Sequence, residues 1–298
     1  MSCTLIFTAG AKGGSGKTTA ARFLITYLQE KGFSPLILDL DDENHTLSRF
    51  FPEALQIGIQ PEFAHDVLIE KAISQEHGII VADLKAGTGH EVLKWFLELP
   101  FSDLKQRGVE FLCVGSITSA PDSVQSFLNW AASLDDHVRY LVFRNLKDGD
   151  QLFDYDQTRQ AGEFRTRFNP AHVTVPKLSP LYQTELEIRR LTISQVLAWS
   201  DGASGNGDSI GPVLSPLLAR ARLRTFQSNI YAQLGETAEP LLPPSQRSAL
   251  MLKGEPMPDR YPDQAAIHYL SGLEATFSQG IIMKSKRFGK RYRSQRSV

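Results

Sequence analysis

The chain has 298 residues, of which 42% are hydrophobic, enough to bury one substantial core and to carry an appendage besides. Its formal charge of −1 gives no global attraction to nucleic acid or anionic membrane, so any such contact must be local. Two cysteines in separate apolar runs, Cys3 and Cys113, with no Cys-x-x-Cys pair, argue against a disulfide framework and against a cysteine-held zinc or iron–sulfur site.

The first apolar run, Leu5-Ile6-Phe7, is too short for a secretory signal and lacks a basic leader, and no run of about 18 apolar residues follows. The chain is therefore read as cytoplasmic, with no membrane contact expected from the body of the protein. Residues 4–9 form a β-branched apolar run that ends in a glycine-rich turn, after which Ala20, Ala21, Phe23, Leu24, Tyr27 and Leu28 recur at helical spacing. Gly32 closes that helix, and Pro35-Leu36-Ile37-Leu38 starts the next strand. Further apolar runs at 78–82, 109–114, 139–143 and 172–175 alternate with helical patterns at 91–99, 122–134, 155–168 and 181–199. Repeated strand–helix units with apolar strands predict an α/β fold, a doubly wound and mostly parallel sheet covered on both faces. Ligands are then expected at the carboxyl ends of the strands.

Composition changes after Trp199 to a polar, glycine-rich stretch, which sets the expected boundaries: an α/β domain over 1–199 and a flexible linker over 200–212. A helical extension over 213–283 follows, with an amphipathic pattern through Leu214, Leu217, Leu218, Phe226 and Ile230 and a second pattern through Ala266, Tyr269, Leu273 and Phe277. The tail, 284–298, holds seven cations (Lys284, Lys286, Arg287, Lys290, Arg291, Arg293, Arg296) with Phe288 and Tyr292 interleaved and no acid. Such a run can track a nucleic-acid backbone without sequence preference, sit on anionic lipid, or serve as a solubilising end.

The turn after the first strand reads Lys12-Gly13-Gly14-Ser15-Gly16-Lys17-Thr18-Thr19. Glycines between a strand and a helix let backbone N–H groups approach an anion, and the helix N-terminus adds a positive dipole end. In such a phosphate loop Gly13, Gly14, Ser15 and Gly16 cradle the phosphates with Thr19, Lys17 reaches the β- and γ-phosphates, and the Thr18 hydroxyl serves magnesium. ATP with Mg2+ is the ligand expected. Ala11 departs from the general pattern, which has glycine there.

Three strand ends add candidates. Asp39 and Asp41 follow Leu36-Ile37-Leu38, where acids can face phosphates, although turn chemistry alone also favours Asp there. Asp83 ends the run Gly78-Ile79-Ile80-Val81-Ala82 and suits holding magnesium through water, with the glycines of Leu84-Lys85-Ala86-Gly87-Thr88-Gly89 allowing a loop that senses the γ-phosphate. Asn145 ends Tyr140-Leu141-Val142-Phe143-Arg144, and its amide can read a base edge. No guanine-reading Asn-Lys-x-Asp is present, which favours adenine.

The lysine pair, Lys12 and Lys17, resembles the deviant Walker A loop of the ParA/MinD family of P-loop ATPases. The resemblance spans residues 4–198 and implies that Lys12 reaches across an ATP-dependent homodimer to the partner's nucleotide. It further implies that Asp41 orients or deprotonates the attacking water and that Asp39 supports the magnesium and lysine network. Asp83 is similar to the family's Walker B acid; Lys85 and Ala86 stand where relatives often have proline. Asn145 is similar to the family's adenine-binding Asn, and Pro176, in Val175-Pro176-Lys177-Leu178, to the loop over the base. The function so implied is a slow ATPase switch, stimulated by a protein regulator, in DNA partition, conjugative transfer or cargo positioning. The alternative is an ATP-dependent metabolic ligase of the dethiobiotin or cobyrinate synthase type, which would need a second small-molecule pocket that no residues mark.

Overall fold

The computed structural model describes residues 2–10, 12–41, 44–57, 66–74, 76–85, 89–198 and 216–247. The chain divides into two units, Met1–Ala249 and Leu250–Val298. The second helical pattern of the extension and the basic tail lie outside the described residues, as does the whole linker.

Seven parallel strands form one sheet in the order β3-β2-β4-β1-β5-β6-β7. They are β1 Cys3–Ala9, β2 Leu36–Asp39, β3 Leu55–Gln56, β4 Ile79–Asp83, β5 Val109–Ile117, β6 Arg139–Asn145 and β7 Ala171–Val175. The helices between them are α1 Lys17–Glu30, α2 Asp66–Ser74, α3 Gly89–Leu97, α4 Phe101–Gln106, α5 Pro121–Leu134, α6 Phe153–Gln157 and α7 Arg159–Phe168. After β7 come α8 Pro180–Arg189, α9 Ile193–Ala198 and α10 Pro216–Glu236.

Every residue of β1 is buried, as a central parallel strand with helices on both faces requires. Residues of one parity, Leu5 and Phe7, join Phe96, Phe127 and Trp130 from α3 and α5 in one apolar cluster; Phe7 and Phe96 stack at 4.3 Å. The other face is covered by α1, and α10 packs against α1, α9 and β7. The composition break at Trp199 therefore does not separate α10 from the sheet in packing, since both lie in Met1–Ala249. Gly115 in β5 lets α5 close on the sheet, because a Cβ there would stand 2.4 Å from the Phe127 ring.

Two helical patterns are each broken. The spacing over 155–168 predicts one helix, but Thr158 takes an extended conformation and caps α7 by accepting from Ala161 N, leaving α6 separate. The pattern over 181–199 is divided by Arg190, whose φ of +56° ends α8. Thr192 and Gln195 then form a reciprocal capping box at the start of α9. The two-residue strand β3 and the six-residue helix α4 are too short to be read from periodicity; α2 carries Val67, Leu68, Ile69, Ala72 and Ile73 and was not anticipated.

Candidate nucleotide site

The loop from Gly10 to Lys17 leaves the carboxyl end of β1 at the centre of the sheet, where strand order reverses direction. Gly16 has φ +104°, and a Cβ on it would come within 2.5 Å of Asn145 Nδ2 and 3.1 Å of Ser116 Oγ. Only glycine meets both demands. Directly beneath, the Ser15 carbonyl accepts from Ser116 Oγ (2.9 Å) and Asn145 Nδ2 (3.0 Å), while Lys147 Nζ donates to the Gly14 carbonyl (2.6 Å). The loop is thus pinned by three side chains, from β5, β6 and the turn after β6. Ala11 lies outside the described residues.

The two lysines of the loop go to different places. Lys17 is buried, its Nζ donates to the Lys12 carbonyl (3.0 Å), and it lines the cleft. Burial lowers its pKa, and the nearby charges of Asp83 and Asp41 oppose that shift. Lys12 points outward, 48% exposed, and pairs with Asp122 in the first turn of α5 at 3.3 Å.

Asp39 and Asp83 are register partners at the ends of β2 and β4, and both are buried. Burial raises the Asp83 carboxyl to about 6 and the neighbouring Asp39 adds to this; hydrogen bonds from Thr18 and Thr8 and the Lys17 charge pull the other way. Thr8 Oγ1 donates to Asp83 at 2.8 Å and accepts from Leu84 N, so a buried hydroxyl in β1 orients the acid. Asp39 accepts from Asp41 N (3.1 Å) and Ser48 N (2.8 Å), which anchors the loop after β2. Asp41, held against Asn44 N at 3.1 Å, lines the cleft. The hard oxygens at this corner are the Thr18 hydroxyl and the Asp83 carboxylate. Among the described residues no cluster of three His, Cys, Asp or Glu could hold an ion alone. That donor set fits Mg2+, which keeps waters and takes phosphate oxygens with one or two protein ligands.

The cleft has a volume of about 530 Å3 and runs from Gly13, Gly14, Gly16, Lys17, Thr18 and Thr19 along α1 past Arg22, Phe23 and Thr26. Asn145 and Pro176 line it, and α8, α9 and α10 close its far end. Asp39, Asp83, Lys12 and Ser15 are not on its wall: the two acids and Ser15 lie beneath, and Lys12 outside. Sequence reasoning missed Thr8, Ser116 and Lys147, midway along the cleft Arg22 and Glu187, and at its far end Phe226 and Gln227. A polar residue in the apolar run of β1 was the available signal for Thr8; the others come together only through the topology.

This chain matches the family model for the CobQ/CobB/MinD/ParA nucleotide binding domain over residues 6–241. It belongs to that family. A curated relative, protein MobD of Acidithiobacillus ferrooxidans, is 22% identical over 206 residues, covering 66% of this chain and 88% of MobD. Among solved structures, the MinC:MinD cell division complex of Aquifex aeolicus aligns with 14% identity and TM-score 0.46, covering 87% of this chain and 100% of that one. The septum site-determining protein MinD of Pyrococcus horikoshii, complexed with Mg-ADP, aligns with 13% identity and TM-score 0.44, covering 80% and 96%. No described helix is long and apolar enough to cross a membrane.

Proposed function

We propose that this family member is a cytoplasmic ATP-binding and hydrolysing switch that dimerises with ATP and acts in DNA partition, conjugative transfer or cargo positioning. The observation that supports it most is the divergence of the two loop lysines. Lys17 serves the chain's own cleft, whereas Lys12 stands on the surface with a single exposed carboxylate as partner. An exposed ion pair of this kind contributes only about 0–1 kcal/mol, so Lys12 can leave Asp122 for a phosphate presented by a second subunit at little cost. A lysine supplied in this way acts on transition-state charge as an arginine finger does.

Within the cleft, Gly13, Gly14, Ser15, Gly16, Lys17, Thr18 and Thr19 bind the phosphates, and Thr18 with Asp83 would hold Mg2+, whose charge neutralises phosphate oxygens when it is bound. Asp41 orients the attacking water or takes its proton, and Asp39 fixes the loop that carries Asp41. Asn145 steadies the loop from below, and Pro176 covers the base. In the same reading a protein regulator stimulates slow hydrolysis, and the cations of 284–298, outside the described residues, give each dimer two non-specific DNA contacts.

Sedimentation with and without ATP tests the switch. The wild-type chain should pass from monomer to dimer on ATP alone, with no small carboxylate substrate present, and Lys12→Ala should keep nucleotide binding and lose the dimer. An ATP-bound dimer unchanged in Lys12→Ala would reduce Lys12 to a surface lysine. A wild-type chain that stays monomeric until a carboxylate substrate is added would favour the ligase class.

A further inference from the structure

Asn145 gives one amide hydrogen to the Ser15 carbonyl at 3.0 Å, and its Oδ1 accepts from Lys147 N at 3.2 Å, which leaves one hydrogen and one lone pair for a base. Further along the cleft stands a second amide. Gln227 on α10 is 6% exposed and lines the cleft. Its Nε2 donates to Ser194 Oγ on α9 (2.6 Å) and to Tyr231 Oη, one turn further along α10 (3.1 Å). A chain of hydroxyls fixes that orientation. Thr26 gives its hydrogen to the Arg22 carbonyl (2.8 Å), so it accepts from Tyr231 (2.8 Å), and the Tyr231 oxygen is left with only lone pairs to offer Gln227.

Both amide hydrogens of Gln227 are therefore committed. Its Oε1 has no donor among the described residues, and Gln227 lines the cleft. The position suits a base. Thr26, which anchors the network, lies seven residues along α1 from the phosphate-loop residue Thr19, about 10 Å at 1.5 Å per residue, roughly a nucleoside's span. Val175, Pro176, Leu186, Ile193 and Phe226 give the intervening walls the apolar character an aromatic ring prefers.

We propose that Gln227 is the specificity-determining residue for the base, its Oε1 accepting a hydrogen bond from an exocyclic amino group. The inference rests on the ATP-site reading above. A 6-aminopurine triphosphate is then preferred to its 6-oxo counterpart, whose oxygen would meet Oε1 acceptor against acceptor. The amide cannot turn over to suit the oxo base without setting Oε1 against the Tyr231 oxygen, whose hydrogen is already given to Thr26. An unmade hydrogen bond at a buried group corresponds to about a ten- to hundredfold preference.

Calorimetric titration of the full chain with ATP and with inosine triphosphate, which carries a 6-oxo group in place of the 6-amino group, tests this. Wild type should bind ATP at least about tenfold more tightly. Gln227→Met should bring the ratio below about threefold. The pair Ser194→Ala with Tyr231→Phe, which leaves Gln227 in place but frees its amide to turn, should also collapse the ratio. The ratio is read within each variant, so a change in overall stability does not imitate the effect, and the wild-type ratio is a test even if a variant fails to fold. Equal affinities in wild type, or an unchanged ratio in Gln227→Met, would overturn the assignment. Lys17→Ala separates the two levels: loss of both nucleotides there keeps the cleft reading intact whatever Gln227 does, and undiminished binding removes the cleft reading itself.

Discussion

At the phosphate end of the cleft the backbone makes the site, whereas at the far end side chains from three separate helices make it. Gly14 and Gly16, with positive φ, shape one continuous loop whose carbonyls are pinned by Ser116, Asn145 and Lys147. The far end draws Leu186 from α8, Ile193 from α9, and Phe226 and Gln227 from α10. A backbone site tolerates almost no change at its glycines, because φ and close approach are fixed together. A side-chain site can be retuned residue by residue, which makes it the place for selectivity to reside.

The harshest way to test this contrast is Gly16→Ala. The new methyl would strain a backbone at φ +104° and displace Asn145 and Ser116 together. We expect about 3 kcal/mol lost from unfolding stability and nucleotide affinity reduced by about a hundredfold. Urea melts and calorimetry read the two. Survival of both within about 0.5 kcal/mol would mean that the loop is not held by its backbone.

The same contrast explains what was legible in the sequence. A contiguous loop between a strand and a helix carries its chemistry in adjacent letters, so residues 12–19 could be read directly, as could the acids at the ends of β2 and β4. The central strands were also legible, since burial on both faces demands unbroken apolar runs. Gln227 could not be read, because an amide in an amphipathic helix gains its meaning only from Ser194 and Tyr231, which folding brings to it. Thr192-Ile193-Ser194-Gln195 did carry a capping-box signature that would have divided the helix predicted over 181–199. The composition break after Trp199 hid the packing of α10, since a glycine-rich connection says nothing about where the next helix docks.

A milder test concerns the pins beneath the loop. Ser116 and Asn145 donate to the same Ser15 carbonyl, so Ser116→Ala and Asn145→Ala should each cost about 1 kcal/mol of stability. The double variant should cost more than the sum, because each single variant leaves one donor on the acceptor and the double variant leaves none. Strict additivity in denaturant melts would show the two pins to be independent and the loop to be less of a unit than its geometry indicates.

The smallest effect is expected midway along the cleft, where Arg22 of α1 meets Glu187 of α8 at 2.6 Å and lies 3.6 Å over the Phe50 ring. Arg22 is 14% exposed and Glu187 48%, so solvent screens one side of the pair and its contribution stays at or below about 1 kcal/mol. Burial lowers the Arg22 pKa while Glu187 raises it, and an arginine stays charged through shifts of this kind. Glu187→Gln keeps the shape and an acceptor for the guanidinium but removes the negative charge from the wall. Stability should therefore fall slightly. Affinity for a polyanionic nucleotide should instead rise, by about two- to threefold at low ionic strength, since Arg22 then acts on the phosphates without an opposing carboxylate. The gain should shrink at about 0.15 M salt and above, where the screening length is about 8 Å. If affinity fell together with stability, the ion pair would belong to the structure of the far end, and the division between a backbone-built and a side-chain-built half would have to be drawn nearer the phosphates.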